Sequence, residues 1–226
     1  SQKRFSKGNT LPLMQRPFGF AAFSPQTESN RGTWFYHPEE DDKVRDFENL
    51  KDIYLKSVGG NTTMLLNVPP TPEGLLHEKD VAVLAQLGSF IREAFADNIA
   101  LQAQMSSLPP TDVQGNDVQM LKTDDMDSYF ENPVGMRELE IALEWEEEQR
   151  IAYLVLKEAI QFSQRVEQFA ISCIREEGTE ETVYEGTVIG HKKIVPLGDI
   201  KTRKLKVRIT DARVAPILSY IGVYGK

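Results

Sequence analysis

The chain has 226 residues, with 26 Lys and Arg against 34 Asp and Glu, so its formal net charge is −8. This acidic balance argues against general nucleic-acid binding, because no basic surplus is available to neutralise phosphates. No run of about 18 apolar residues occurs, so no membrane-spanning helix is expected. The single Cys173 excludes an internal disulfide, and three widely spaced His residues predict no metal site.

The first part of the chain, to about residue 100, predicts a fragment of an α/β fold. Scattered Pro and Gly residues up to Arg31 indicate loop. From Lys43, apolar residues at three- and four-residue steps predict a helix that ends at Gly59-Gly60, and a second helix has the face Val81, Leu84, Leu87, Ile91 and Phe95. Between these helices, the apolar run 62–68 predicts a strand buried on both faces, as in a parallel sheet.

The second part, 101–226, predicts an all-β sandwich of the jelly-roll, galactose-binding-like kind. Apolar and polar residues alternate along 168–173 and 205–210, which is the period of a half-buried strand. Further strands are expected at 139–145, 151–156, 182–189 and 218–224. Turns are expected at Glu177-Gly178, Gly190 and Pro196-Leu197-Gly198. Cys173 lies in one of these strands and is expected to be buried and inert.

Several blocks of the sequence resemble one enzyme family. They are WFYHPEED (34–41), YLKSVGGN (54–61), LLNVPP (65–70) and EGLLHEKDV (73–81), followed in the second part by QRVEQF (164–169) and ITDARVAP (209–216). In order and spacing these blocks resemble the C-terminal part of bacterial α-L-fucosidases. The resemblance implies that 1–100 is the C-terminal portion of a (β/α)8-like catalytic barrel, and that 101–226 is the β-sandwich that follows it.

The resemblance implies a retaining exo-glycosidase that removes terminal α-L-fucose from glycans, without metal or organic cofactor. Retention requires a nucleophile and an acid/base carboxyl about 5–5.5 Å apart. A complete barrel takes about 250 residues, and the family's nucleophilic Asp and fucose-binding His residues lie upstream of the residues given. We therefore expect this chain alone to be inactive, with its barrel remnant covered by the remaining barrel or by an oligomer partner. Export to the periplasm or the medium is also implied, although the sequence from Ser1 contains no signal peptide.

The acid/base position is where this sequence departs from the family's pattern. Counting back from Trp34 to the position of the family's acid/base Glu gives Pro25, which cannot donate a proton. The nearest carboxylate is Glu28, three residues later. Either the loop is rearranged and Glu28 takes the role, or the function is lost, or residues are missing between these positions.

Three residues near this loop are candidates for sugar binding. Trp34 and Tyr36 offer aromatic faces for the apolar face of a pyranose, and Arg31 offers a fork of donors for a carboxylate or a sugar hydroxyl. The alternatives are that the two aromatic residues pack at the end of a barrel strand, and that Arg31 anchors the loop through an ion pair. Asn67 ends the predicted strand and is expected to have a structural role beside Pro69-Pro70.

Other polar motifs have simpler interpretations. The run 39–42 contains four carboxylates without calcium-loop spacing, so it is expected to precede a helix and complement its dipole. The glycosylation triplet at Asn61 is discounted because it adjoins a predicted buried strand. Sugar binding by the sandwich, through Trp145, Gln164, Arg165 and Arg213, is a weaker alternative to a scaffold role.

Two functions from different classes therefore remain. The first is the C-terminal portion of an α-L-fucosidase acting on fucosylated glycans. The second is a degenerate relative or fragment that serves as a non-catalytic glycan-binding or interaction module, an interpretation that Pro25 favours.

Overall fold

The computed structural model describes residues 29–111 and 115–225. Their regular elements are, in chain order, α1 (Phe47–Ser57), α2 (Glu78–Ala94), β1 (Gln104–Leu108), β2 (Phe130–Glu131), β3 (Leu139–Glu158), β4 (Val166–Ile174), β5 (Glu180–Gly186), β6 (Lys193–Ala212) and β7 (Ile217–Tyr224). Short 3-10 helices lie at Pro38–Lys43, Ile99–Gln102, Val118–Lys122 and Ile160–Phe162. Within this described part, no helix is long and apolar enough to span a bilayer.

Both predicted helices form, but the first begins at Phe47 and not at Lys43, which lies in the preceding 3-10 helix. α1 begins at Phe47, after the side chain of Asp46 accepts a hydrogen bond from the Asn49 amide and so caps the helix. α2 is capped by His77, whose ring nitrogen accepts a hydrogen bond from the Lys79 amide. Leu50, Tyr54, Val83 and Leu87 are buried along their inner faces. The capping residues and the apolar faces together account for the position of both helices.

The prediction of a buried strand at 62–68 is wrong. The segment is extended, but within the described ranges its strand-like pairing is limited to an isolated parallel bridge between Asn67 and Ser29. Leu65 is 62% exposed, and most of the segment is half-buried rather than buried on both faces. A parallel strand forms only where neighbouring strands satisfy its backbone groups, and among the described residues Ser29 and Asn30 are its partners on this side.

The seven strands form an antiparallel sheet system folded into two layers. Its order is β2-β7-β3-β6-β4-β5, with β1 paired to β3. The first half of β3 pairs with the second half of β6. In the same layer, β1 pairs with this half of β3, and β4 pairs with this half of β6. The other halves of β3 and β6 pair with each other, and β7 adds to that half of β3. The two long strands thus pass from one layer to the other.

The two long strands, β3 and β6, differ from the sequence prediction in two details. The strands expected at 139–145 and 151–156 are one continuous strand, β3, whose pairing with β6 changes register between Glu144 and Gln149. The turn expected at Pro196-Leu197-Gly198 lies inside β6. Gly198 and Asp199 both adopt positive φ there, at +68° and +72°, and the register with β3 shifts at this point. The residues that resemble a turn form a β-bulge, which bends the strand without ending it.

The main apolar core lies between the two layers. It contains, among others, Ile141, Leu154, Phe169, Val207 and Ile221, all at most 2% exposed. Cys173 is fully buried in this core, and burial raises the pKa of its thiol. The thiol is therefore held in its unreactive protonated form.

A second apolar cluster joins the helices to the outer face of one layer. Leu50 and Tyr54 of α1 and Val83 of α2 belong to it, together with Val155 and Tyr220 of the sheet. The layer containing β7 is therefore covered on both faces, by the core on one side and by the helices on the other. This explains why every residue of β7 is buried and why 151–156 is continuously apolar. The described chain is thus a mainly antiparallel β fold with two helices packed on it.

Candidate functional site

Two loops come together at the parallel bridge between Ser29 and Asn67. Each of these extended residues is followed by a loop and then a helix, with α1 after the first and α2 after the second. The Asn30 amide donates to the Asn67 carbonyl at 2.9 Å, so the two segments are aligned where the loops begin. Residues 30–46, called here the first loop, and residues 68–77, the second loop, therefore leave the bridge in the same direction.

Trp34 stands at the tip of the first loop. Its backbone carbonyl accepts a 2.7 Å hydrogen bond from the side-chain amide of Asn67, and the carbonyl of Thr33 accepts one from the Ser29 hydroxyl at 2.6 Å. The Trp34 residue is nevertheless 46% exposed, and its neighbour Phe35 is 74% exposed. The loop therefore exposes two aromatic residues to solvent, while hydrogen bonds from Ser29 and Asn67 hold its backbone. The Asn67 side chain therefore holds the first loop, whereas the sequence led us to expect a role beside Pro69-Pro70.

Arg31 lies beneath the loop and is buried. Its side chain has no exposed surface, and its Nε and Nη2 both donate to Oδ2 of Asp80, at 3.1 and 2.5 Å. Its Nη1 donates to Oδ1 of Asp41 at 2.6 Å. Burial alone would lower the pKa of the guanidinium, but the hydrogen bonds to Asp80 and Asp41 raise it. This geometry favours the ion-pair interpretation of Arg31, while contact with a sugar stays a prediction.

Asp41 connects the first loop to the second. Its Oδ1 binds Arg31, while its Oδ2 accepts from the Tyr36 hydroxyl at 3.3 Å and lies 3.4 Å from Nε2 of His77. The Arg31 guanidinium holds the pKa of the Asp41 carboxyl below its ordinary value. Burial and the negative charge of Asp41 raise the pKa of Tyr36. Asp41 is therefore ionised at neutral pH, and Tyr36 carries its proton.

Two other carboxylates of the acidic run, Glu40 and Asp42, are paired within the protein. Glu40 is buried and accepts from the Thr33 hydroxyl at 2.6 Å, which lowers the pKa of its carboxyl. Asp42 pairs with Lys79 at 2.6 Å. The run occupies the 3-10 helix Pro38–Lys43, which precedes α1 by three residues. Its carboxylates diverge to different partners rather than converging on one point. In the described ranges, no group of three or more His, Cys, Asp or Glu side chains is placed to hold a metal ion.

Glu28, the acid/base candidate, lies outside the described residues, one position before Ser29. Arg31, Trp34 and Tyr36 are therefore the candidate residues whose places are known. The structure brings all three into one loop, with Tyr36 in contact with Arg31, whose guanidinium carbon lies 4.9 Å from the Tyr36 ring centre.

Three of the four candidate sugar-binding residues of the sandwich, Trp145, Arg165 and Arg213, have partners within the protein. Trp145 is 4% exposed, and its indole N–H donates to the Ile99 carbonyl at 2.9 Å. Arg165 donates to the carbonyls of Phe162 and Ala215, and Arg213 pairs with Glu167. Their observed contacts stabilise turns and strand ends, so they favour a scaffold role. Asn61 likewise has a structural contact, since its Oδ1 accepts from the His191 amide at 2.6 Å.

Asp80 and His77 are parts of the site that sequence reasoning missed. An acidic residue in the first turn of a helix is ordinarily explained by the helix dipole, so Asp80 gives no special signal in the sequence. Its partner Arg31 is 49 positions away. The pairing becomes visible only when α2 is placed against the first loop.

Comparison with known proteins identifies what this arrangement is similar to. A family model described as Alpha-L-fucosidase matches residues 22–94, which include both loops and both helices. The chain is 30% identical to Putative alpha-L-fucosidase 1 of Oryza sativa subsp. japonica over 224 residues, which are 96% of this chain and 43% of that protein. The chain therefore spans less than half the length of this relative.

Solved structures give the same result in three dimensions. The crystal structure of a protein described as an α-L-fucosidase from Bacteroides thetaiotaomicron matches with a TM-score of 0.82 and 29% identity, over 88% of this chain and 44% of that one. A Ruminococcus gnavus GH29 fucosidase in complex with fucose matches with a TM-score of 0.78 and 26% identity, over 88% of this chain and 40% of the other. The chain resembles part of an α-L-fucosidase, a glycoside hydrolase, over most of its length.

Proposed function

We propose that this chain is the C-terminal portion of a retaining α-L-fucosidase, and that the complete protein hydrolyses terminal α-L-fucose from glycans. The observation that supports this best is the similarity to the Bacteroides thetaiotaomicron structure, which covers 88% of the chain with a TM-score of 0.82. The share that is covered is larger than 101–226 alone, so the match extends beyond a shared sandwich module. The family model independently matches the segment that contains the two loops.

The helical part fits the end of a (β/α)8-like barrel. The described residues contain two successive units of extended segment, loop and helix, and the extended segments pair in parallel at Ser29 and Asn67. Parallel pairing with intervening helices is the repeating pattern of such a barrel. The sheets fit the jelly-roll sandwich that follows the barrel, with the second apolar cluster as the contact between the two parts.

The exposed apolar residues of the helical part fit a missing neighbour. Leu65, Leu75 and Phe35 are 62%, 68% and 74% exposed, and all lie in the bridge region or in the two loops. A contiguous patch formed by such side chains would be a contact surface for another protein segment. We assign this surface to the remainder of the barrel, with a second copy of the chain as the alternative.

In this proposal the chain supplies one side of the sugar site. Active sites of such barrels are built from the loops that follow the strands, and the first loop carries Trp34 at its tip. Its exposed indole would pack against the apolar face or methyl group of fucose. Glu28 would be the proton donor, and the nucleophile would come from the remainder of the barrel. The two carboxyl groups would then lie about 5–5.5 Å apart, as retention requires.

The test is hydrolysis of 4-nitrophenyl α-L-fucoside by the complete protein and by residues 1–226, purified in parallel. We expect nitrophenol release from the complete protein and none from the shorter chain, since the nucleophile is outside it. Proton NMR of the first product formed should show retention of the α configuration. Nitrophenol release by the 226-residue chain alone would contradict the proposed division of the site.

A non-catalytic glycan-binding module is the second candidate, and one observation favours it. Pro25 stands where the family resemblance places the acid/base Glu, so the proton donor depends on Glu28. Glu28→Gln in the complete protein separates the two candidates. If Glu28 donates the proton, this variant should lose at least a hundredfold in kcat, within the range of general acid catalysis. A folded complete protein that binds fucosylated glycans without hydrolysing them would support the module instead.

A further inference from the structure

We infer that Asp80 is a positioning residue of the proposed fucosidase site: it anchors the first loop to α2 through Asn30 and Arg31, and Asp41 extends this anchor to the second loop. The inference rests on the proposed function and adds a residue that touches no sugar. Asp80 has no exposed surface, so it acts on the site through the loop residues that it contacts.

The Asp80 carboxylate binds two consecutive residues of the loop. Its Oδ1 accepts from the Asn30 side-chain amide at 2.6 Å, and its Oδ2 accepts both Nε and Nη2 of Arg31. All three residues are at most 2% exposed. Charge-assisted hydrogen bonds are strong where water is excluded, so this carboxylate determines where the loop begins relative to α2.

Backbone contacts hold Asn30, the first of these two residues, from other directions. The Asn30 amide donates to Asn67, and the Asn30 carbonyl accepts from the Arg45 amide, both at 2.9 Å. The start of the loop is thus held by the bridge, by the entry to α1 and by α2. Asp80 adds a charge to these backbone contacts, and it faces the buried positive charge of Arg31.

Asp41 carries the anchor to the second loop. It binds the remaining terminal nitrogen of Arg31 and lies 3.4 Å from Nε2 of His77. The other ring nitrogen of His77 accepts the Lys79 amide and therefore carries no proton. Nε2, on the opposite side of the ring, faces the Asp41 carboxylate. The chain of contacts Asp80, Arg31, Asp41 and His77 ties both loops to the start of α2.

The exposed tip of the loop is where this anchoring has its effect. Trp34 is 46% exposed, so packing of its own side chain contributes little to its position. The position of its backbone depends on Asn67 and on the residues that precede it. A displacement of about 1 Å in a substrate-contacting group can reduce a rate by about a hundredfold. Loss of the Asp80 anchor should therefore reduce turnover even in molecules that remain folded.

The first test is hydrogen exchange in the 226-residue chain, comparing wild type with Asp80→Asn and with Glu93→Gln. The second variant neutralises an exposed carboxylate of the same helix and is the control. We expect amides in 29–41 to exchange at least tenfold faster in Asp80→Asn, with the central strands unchanged. A general loss of stability would accelerate exchange in all elements. Unchanged exchange in 29–41, or an equal increase everywhere, would overturn the inference.

The second test measures kcat and KM of the complete protein on 4-nitrophenyl α-L-fucoside, at a temperature where circular dichroism shows each variant folded. We expect kcat to fall at least thirtyfold in Asp80→Asn and to stay within twofold of wild type in Glu93→Gln. If Asp80→Asn does not fold, Asp41→Asn replaces it, because Asp41 is partly exposed, and a tenfold loss of kcat is expected. A folded variant with wild-type kcat would overturn the inference. An inactive wild type would instead refute the proposed fucosidase function, and hydrogen exchange would still decide whether Asp80 anchors the loop.

Discussion

The side-chain amide of Asn67 donates a 2.7 Å hydrogen bond to the backbone carbonyl of Trp34, 33 residues earlier in the chain. The contact joins the end of one extended segment to the tip of the loop that follows the other. It fixes the backbone of Trp34 while leaving the indole accessible. An exposed aromatic residue on a fixed backbone is suited to stacking on a sugar, because little conformational entropy is lost on binding.

Asn67→Ala should therefore weaken the site without unfolding the chain. Removing this amide leaves the Trp34 carbonyl to water and should cost about 1 kcal/mol of folding stability. In the complete protein, we expect kcat/KM for an aryl α-L-fucoside to fall about tenfold, equivalent to about 1.4 kcal/mol. Asn49→Ala, which removes an exposed hydrogen bond to Arg45, is the control. Equal kcat/KM values for the two variants would show that Asn67 does not act through the loop.

Trp34→Ala should separate function from stability. Because the residue is 46% exposed, truncation should lower the thermal midpoint of the 226-residue chain by less than about 2 °C. The complete protein should lose about tenfold to a hundredfold in kcat/KM if the indole packs on the sugar. Leu101→Ala, which truncates a 62% exposed side chain near the sheets, should leave kcat/KM within twofold. A loss of stability without a loss of activity would support the packing interpretation of Trp34.

Arg31→Met should be the most destabilising of these changes. It leaves Asp80 buried and without its counter-charge, for which a cost of about 3–5 kcal/mol is expected. The double variant Arg31→Met/Asp80→Asn should be more stable than the sum of the single effects predicts. Lys56→Met removes the exposed pair with Asp52 and should cost less than about 0.5 kcal/mol. Urea unfolding of these three variants and of the single variant Asp80→Asn gives their free energies of unfolding. A similar cost for Arg31→Met and Lys56→Met would contradict the buried-pair account.

Glu180 makes a pH-dependent contribution to stability. The Arg208 and Lys206 side chains lower the pKa of its carboxyl from 4.5 to about 2 in the folded state. A lowered folded-state pKa stabilises the protein above the unfolded value, and this contribution is lost as the pH falls from about 4.5 to about 2. After allowance for solvent screening, Glu180→Gln should cost about 1 kcal/mol at pH 7 and almost nothing near pH 2. Urea unfolding between pH 2 and pH 7 measures this pH dependence, and Glu146→Gln, which neutralises an exposed carboxylate, is the control. A difference that does not depend on pH would contradict this assignment.

Local patterns in the sequence predict the helices and most strand positions. The three- and four-residue apolar steps locate α1 and α2 because each helix buries one face, against a sheet whose outer side is apolar. The alternation along 205–210 locates the second half of β6 in the same way. The segment 62–68 is the exception, because an apolar run has no strand structure without partners along its length.

Long-range relations could not be predicted from the sequence. Gly198 is a typical turn residue, and only the continued pairing with β3 on both sides shows that it forms a bulge in a 20-residue strand. The contact between Arg31 and Asp80 depends on how α2 packs against the first loop. The motifs around Trp34 could identify the loop by resemblance, but the burial of Arg31 beneath it required the three-dimensional arrangement.

Nitrophenol release from 4-nitrophenyl α-L-fucoside by the complete protein, with residues 1–226 assayed beside it at equal molar concentration, tests the central claim most directly. The account predicts steady release by the complete protein, retention of configuration in the product, and no release above background by the shorter chain. A folded complete protein that releases no nitrophenol would contradict the assignment of this chain to a working fucosidase.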